Sequence, residues 1–207
     1  MEHDACGVGL VASTEGLKSR KVVEYGIDAL KAVWHRGAID ADGKTGDGAG
    51  IHIEIPKDFF EEKIEVTGHK HDNSELCVGM IFLPRNDYSA QEQCRTIVES
   101  ELTKRNFSIY GWRQVPVDPS VLGEKAEQTR PEITQVLFTY NDKKVVNKSL
   151  EQKLYETRRV IEKEALNNQL NNFYICSFSS KSIIYKGMFL AEALSDFYTD
   201  LKDERFI

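Results

Sequence analysis

The run Leu76–Leu83, LCVGMIFL, carries no polar side chain and stops at Pro84. A strand that is apolar at every position has no face to show to water. It fits a sheet covered on both sides. Residues 7–13, GVGLVAS, lack polar alternation too and read as a second buried strand. Elsewhere the pattern alternates: Ile51, Ile53 and Ile55 are interleaved with His52 and Glu54, a half-buried strand that ends at Pro56. The segments 107–113 and EITQVLFTY read as further strands. FYICSFSS and SIIYKG read as two strands of a hairpin around Lys181.

Helical spacing separates these strands. Ser19 is placed to cap a helix running to about His35, with Val23, Ile27, Leu30 and Trp34 on one face. Residues 58–65 suggest a short helix. Ser89 and Glu92 match a capping box for a helix ending near Arg105. The longest candidate is Ser149 to Asn167, with Leu150, Leu154, Ile161 and Ala165 aligned. A short helix is expected over about 190–198, and Pro116 and Pro119 break the pattern between elements. Hairpins beside helices, without a strand–helix–strand rhythm, predict an α+β fold rather than a doubly wound sheet. No internal repeat or interdomain linker is visible.

With 207 residues the chain suits one sizeable domain, or part of a larger protein. A net charge of −6 argues against nucleic acid as a partner. No apolar stretch approaches the ~20 residues of a membrane helix. The first five residues, Met1 to Ala5, lack the apolar region of a secretory signal. The expected location is therefore cytoplasmic, a reducing compartment in which thiols stay free. None of Cys6, Cys77, Cys94 and Cys176 forms a Cys-x-x-Cys pair. Cys77, Cys94 and Cys176 sit in apolar runs and read as core.

The densest glycine region is HRGAIDADGKTGDGAG, residues 35–50. Its GKT is no phosphate loop. Gly37 and Gly43 leave five residues between them where that loop has four, and the segment follows a helix and precedes a strand. These glycines serve either tight turns with positive φ or a close approach of the backbone. His35 and Arg36 close a helix, where cations suit the dipole. His69 and His71 make a His-x-His with Asp72 beside it, a pattern that a polar loop also yields by chance. Cys6, followed by Gly7 and Gly9, has two readings. It is a strand cysteine, or a nucleophile exposed when Met1–Ala5 are removed. In the second case its own α-amine, with a pKa near ~7.7–8.0, takes the thiol proton at a thiol pKa near ~8.5.

Four segments carry a resemblance: DACGVGLVA at 4–12, HRGAIDADGKTGDGAGI at 35–51, PVDPSVLGEKA at 116–126 and IIYKGM at 183–188. In this order they closely resemble the N-terminal class II glutamine amidotransferase domain of glutamate synthase large subunits. The resemblance implies a four-layer αββα sandwich of the N-terminal-nucleophile hydrolases, incomplete in this chain. It divides the chain into a leader, residues 1–5, and part of an amidotransferase domain, residues 6–207. It makes Cys6 the catalytic nucleophile toward L-glutamine, with Arg36, Gly37, Asp47 and Gly48 in a loop that shapes the substrate pocket.

The ammonia released would meet 2-oxoglutarate in the complete enzyme. There the family uses FMN, an iron–sulfur cluster and electrons from NADPH, NADH or ferredoxin, delivered by a small subunit or by ferredoxin itself. No cofactor or metal is expected in this segment. The leader is shorter than is common in the family. The family's His-Ser-Arg-Phe-Ser-Thr and Asn-Gly segments, which clamp glutamine and supply oxyanion donors, do not occur here. On that basis the chain alone is expected to be inactive and prone to aggregate. The competing expectations are a catalytically silent structural fragment of the same ancestry and another cysteine-nucleophile amide hydrolase.

Overall fold

A computed structural model describes residues 7–33, 37–71, 74–142 and 148–207. In chain order the elements are α1 (Arg20–Ala32), β1 (Ala49–Glu54), α2 (Lys57–Val66), β2 (Leu76–Leu83), α3 (Tyr88–Lys104), β3 (Phe107–Gln114), α4 (Glu124–Thr129), β4 (Glu132–Tyr140), α5 (Lys148–Asn167), β5 (Tyr174–Ser179), β6 (Ser182–Gly187) and α6 (Leu194–Phe197). The fold class is α+β, as the sequence pattern predicts, and is consistent with an N-terminal-nucleophile amidotransferase sandwich. The residues gather into two units.

The larger unit spans Lys57–Val115 and Pro131–Ile183. Its antiparallel sheet has the order β3-β4-β2-β5. The two central strands are buried along nearly their whole length, and β2 is apolar throughout. β2 is set against β4 with Leu76 opposite Thr139 and Leu83 opposite Glu132. Cys77, Ile81 and Leu83 of β2 join Val136 and Phe138 of β4 in one apolar core. Cys94, Val98 and Leu102 of α3 and Leu150, Leu154, Ile161 and Ala165 of α5 complete it. Leu76, Val78 and Met80, on the opposite face of β2, are fully buried as well. The amphipathic face expected of α5 is therefore the face that covers this sheet.

Two local expectations are corrected here. The cap of α3 is Asp87, whose carboxylate accepts from the Ala90 amide at 2.9 Å, so Ser89 lies inside the first turn. An ionised acceptor at a helix N-terminus also gains from the helix dipole, which a serine hydroxyl does not. More consequentially, β5 and β6 are not a hairpin. β5 is an edge strand of the four-stranded sheet, whereas β6 pairs with β1 in a separate two-stranded sheet.

The reason lies in Glu151 on α5. Its carboxylate accepts from the Ser180 amide and hydroxyl, each at 2.8 Å, and from the Ser179 hydroxyl at 2.9 Å. That holds the end of β5 against α5 and turns the chain away from its own strand. Glu151→Ala leaves these donors without their acceptor and is expected to cost about 2–3 kcal/mol. Chemical denaturation checks this, and a loss under about 0.5 kcal/mol would remove Glu151 from the account.

The smaller unit draws on Pro116–Arg130, Ile184–Ile207 and the described residues up to Pro56. In α1, Val23 and Ile27 are buried as the spacing predicts, although Ser19 makes no side-chain cap. β1 shows the expected alternation, with His52 and Glu54 exposed. An aromatic core forms around Tyr198, whose ring lies 4.7 Å from Phe197 and 5.0 Å from Tyr185. Its hydroxyl donates to the Lys186 carbonyl at 2.7 Å, and Tyr185 donates to the buried Asp200 carboxylate at 3.1 Å.

Residues 7–13 do not form the expected buried strand. They have no regular structure, and Val8 and Leu10 are 93% and 91% exposed. A strand needs a ladder partner for its backbone groups, and no described strand pairs with this segment. Apolar composition marks what can be buried; pairing decides what becomes a strand.

Candidate active site

The glycine-rich segment between α1 and β1 is a folded-back loop. Ile39 and Gly46 form an antiparallel bridge across its base. The Asp40 amide donates to the Thr45 carbonyl at 2.9 Å, and the Gly43 amide donates to the Asp40 carbonyl at 2.9 Å, closing a turn. Gly43 has φ +70°, the left-handed region that glycine enters freely. Gly46 meets the other demand: a Cβ there would stand 2.7 Å from the Phe189 carbonyl oxygen. Both roles open to these glycines thus occur, at different positions, and the close approach is to the chain's own backbone.

Of the predicted pocket residues, Gly37 is exposed at the loop entrance, and Asp47 and Gly48 are exposed at its exit. The Asp47 amide donates to the Ala38 carbonyl at 3.3 Å, and this ties the two ends together. Cys6, Arg36 and the leader Met1–Ala5 lie outside the described residues.

Asp42 and Thr45 were not singled out from the sequence, yet they organise the loop. Asp42 accepts from the Lys44 amide at 3.0 Å, the Thr45 amide at 2.7 Å and the Thr45 hydroxyl at 2.5 Å. The Thr45 hydroxyl and amide, then the Lys44 amide, hold the Asp42 carboxyl far below the usual carboxylate range. A hydrogen bond from Lys125 likewise lowers Asp40, and the same pairing raises Lys125. The Asp-Gly pair in ADGKT is a legible turn signal. What it meets, α4, lies too far along the chain for local reasoning to reach.

A cavity of about 640 Å³ lies within the smaller unit. It is lined by residues 7–11, by Val22, Gly26 and Val33 of the α1 region, by residues 50–54 and by Ile207. It therefore brings together residues 7–11, the end of α1 and β1. The chain's other thiols are buried core residues, as predicted. Burial pushes Cys94 up to about 11 and raises Cys77 as well. A thiolate is the reactive form, so neither is suited to attack at neutral pH.

His69 and His71 flank Tyr110, with ring centroids 6.2 and 5.8 Å from it, and His71 Nδ1 lies 3.0 Å from Glu61. Among the described residues, no group of three or more His, Cys, Asp or Glu side chains is placed to hold a metal. None of the described helices is long and apolar enough to cross a membrane.

The first described residues and Gly50, at the end of the glycine-rich loop, line one cavity of this α+β chain. The sequence comparisons define it further. The family model for class II glutamine amidotransferases matches residues 6–207, and the chain belongs to that family. It is 58% identical over 205 residues to the glutamate synthase (NADPH) large chain of Azospirillum brasilense, covering 99% of this chain and 14% of that protein. It is 38% identical over 203 residues to ferredoxin-dependent glutamate synthase 2 of a Synechocystis species, covering 98% and 13%. A similar likeness, 37% over 207 residues, extends to the chloroplastic ferredoxin-dependent enzyme of Spinacia oleracea, covering 99% and 13%. The chain is homologous to the amidotransferase region of glutamate synthases and spans about one seventh of the length of these relatives.

Proposed function

We propose that this chain is the glutaminase region of a glutamate synthase and that Cys6, freed by removal of Met1–Ala5, is its nucleophile. The supporting observation is that the family match begins at Cys6 and runs to residue 207. The α-amine of Cys6 takes the thiol proton, and the sulfur attacks the side-chain amide carbon of glutamine. The tetrahedral intermediate collapses with loss of ammonia, which carries away the amine's proton, and leaves a γ-glutamyl thioester. Water, deprotonated by the same amine, hydrolyses the thioester to glutamate and restores the thiol.

Ammonia then serves the synthesis of a second glutamate from 2-oxoglutarate elsewhere in the complete enzyme. FMN, the iron–sulfur cluster and the electron donor, whether NADPH, NADH or ferredoxin, belong to those other parts. Arg36, Gly37, Asp47 and Gly48 border the glutamine pocket. The compartment is the cytoplasm, a reducing setting that suits the buried thiols Cys77, Cys94 and Cys176.

Intact mass and N-terminal sequencing of the complete protein, before and after treatment with a diazoketone analogue of glutamine, test the mechanism. The mature chain should begin at Cys6 and gain one label there, with none on Cys77, Cys94 or Cys176. An active protein that keeps Met1, or a label on another cysteine, would overturn the assignment.

A further inference from the structure

We propose that Asp42 is a positioning residue for the glutamine pocket, clamping the loop that carries Gly37, Asp47 and Gly48 onto the first turn of α4. This rests on the functional reading above and adds to it a residue that touches no substrate. The loop needs such an anchor. Gly37, Gly43, Gly46 and Gly48 give it wide backbone freedom, and freedom of that kind opposes a defined pocket wall. Its downstream end is secured by β6: a Cβ on Gly50 would lie 2.6 Å from the Lys186 side chain. Its tip has no sheet to join.

The anchor comes from α4. Gly123 stands at the N-cap of that helix and offers it no capping side chain. Thr45, only 2% exposed, fills the gap by accepting from the Ala126 amide at 3.4 Å. Asp42 orients that hydroxyl by accepting from it at 2.5 Å. Lys125 returns along the outside and pairs with Asp40 at 2.7 Å. Gly123 leaves the space in which this happens: a Cβ there would fall 2.2 Å from Asp42 Oδ2 and 2.3 Å from Thr45 Oγ1. Each segment therefore supplies what the other lacks. The loop gains a fixed tip, and α4 gains its cap. Asp42 is exposed and Asp40 half-buried, so the clamp contributes geometry rather than bulk stability.

The test uses the complete synthase, with glutamine-dependent and ammonia-dependent glutamate formation measured side by side. Asp42→Ala should raise the KM for glutamine about tenfold or more with kcat changed less than about threefold, because the chemistry is intact and the pocket is misplaced. Ammonia-dependent turnover should stay within about twofold. Asp42→Asn, which still accepts from the Lys44 and Thr45 amides, should recover KM to within about threefold of the parent. A glutamine KM unchanged in Asp42→Ala, with ammonia use retained, overturns the clamp. Where Asp42→Ala also loses ammonia use, Lys125→Met decides. It removes the outer pair with Asp40 and the positive charge beside Asp42; a raised KM supports the clamp and an unchanged one overturns it. A parent enzyme that uses no glutamine fails the functional reading itself, whereas a parent that uses glutamine beside an Asp42→Ala variant of unaltered KM fails the clamp alone.

Discussion

Cys6→Ala is expected to lower glutamine-dependent glutamate formation by at least about 10³-fold, the scale on which loss of a covalent nucleophile acts. Ammonia-dependent formation should remain within about twofold of the parent, since free ammonia bypasses the thioester. The contrast between the two substrates makes the prediction specific. A folding defect would reduce both rates, and a core cysteine replaced by alanine would spare both. Cys6→Ser should follow Cys6→Ala closely, because a hydroxyl is a far weaker acid and nucleophile than the thiol it replaces. Steady-state assays with each nitrogen source, at matched protein concentration, decide the matter. Retained glutamine use in Cys6→Ala would remove Cys6 from the mechanism.

Phe138→Ala should destabilise the larger unit by about 3–5 kcal/mol, the usual cost of removing a fully enclosed aromatic ring. Phe138 is 0% exposed on the central strand β4. Its ring lies 4.9 Å from Phe178 of β5 and 5.4 Å from Phe107 of β3. It faces the core formed with α3 and α5, so truncation leaves a cavity that neither strand can close alone. A drop in melting temperature of about 6–20 °C should follow, read by circular dichroism. Tyr155→Ala on the exposed side of α5 is the control, since its ring is 63% exposed. That variant should move stability by no more than about 0.5 kcal/mol. A Phe138→Ala effect as small as that of the control would refute the packing described for this sheet.

The central elements were legible because burial is written locally. Every residue of β2 is apolar, and the strand is enclosed on both faces. In α5 the spacing of Leu150, Leu154, Ile161 and Ala165 marks the face that meets the sheet. The misreadings share a cause. Residues 7–13 look like β2 in composition but have no described ladder partner. The two runs around Lys181 look like a hairpin, but a carboxylate on α5 holds the turn and sends β6 to another sheet. In the candidate site, local reasoning singled out Gly37, Asp47 and Gly48 as pocket residues and left their folding-back unread. Asp42 escaped it, because its importance depends on Gly123 and Ala126.

The sequence by itself determined the α+β class, the cores of β2, β4 and α5, the buried state of Cys77, Cys94 and Cys176, and membership of the class II amidotransferases. These follow from side-chain chemistry repeated at helical or strand period, and from long matching segments. Only the tertiary structure decided which strands pair, which residue turns the chain after β5, and what anchors the glycine-rich loop. The physical reason is the same in each case. A backbone donor or a carboxylate is satisfied by whichever partner folding brings near, and at these points that partner lies dozens of residues away.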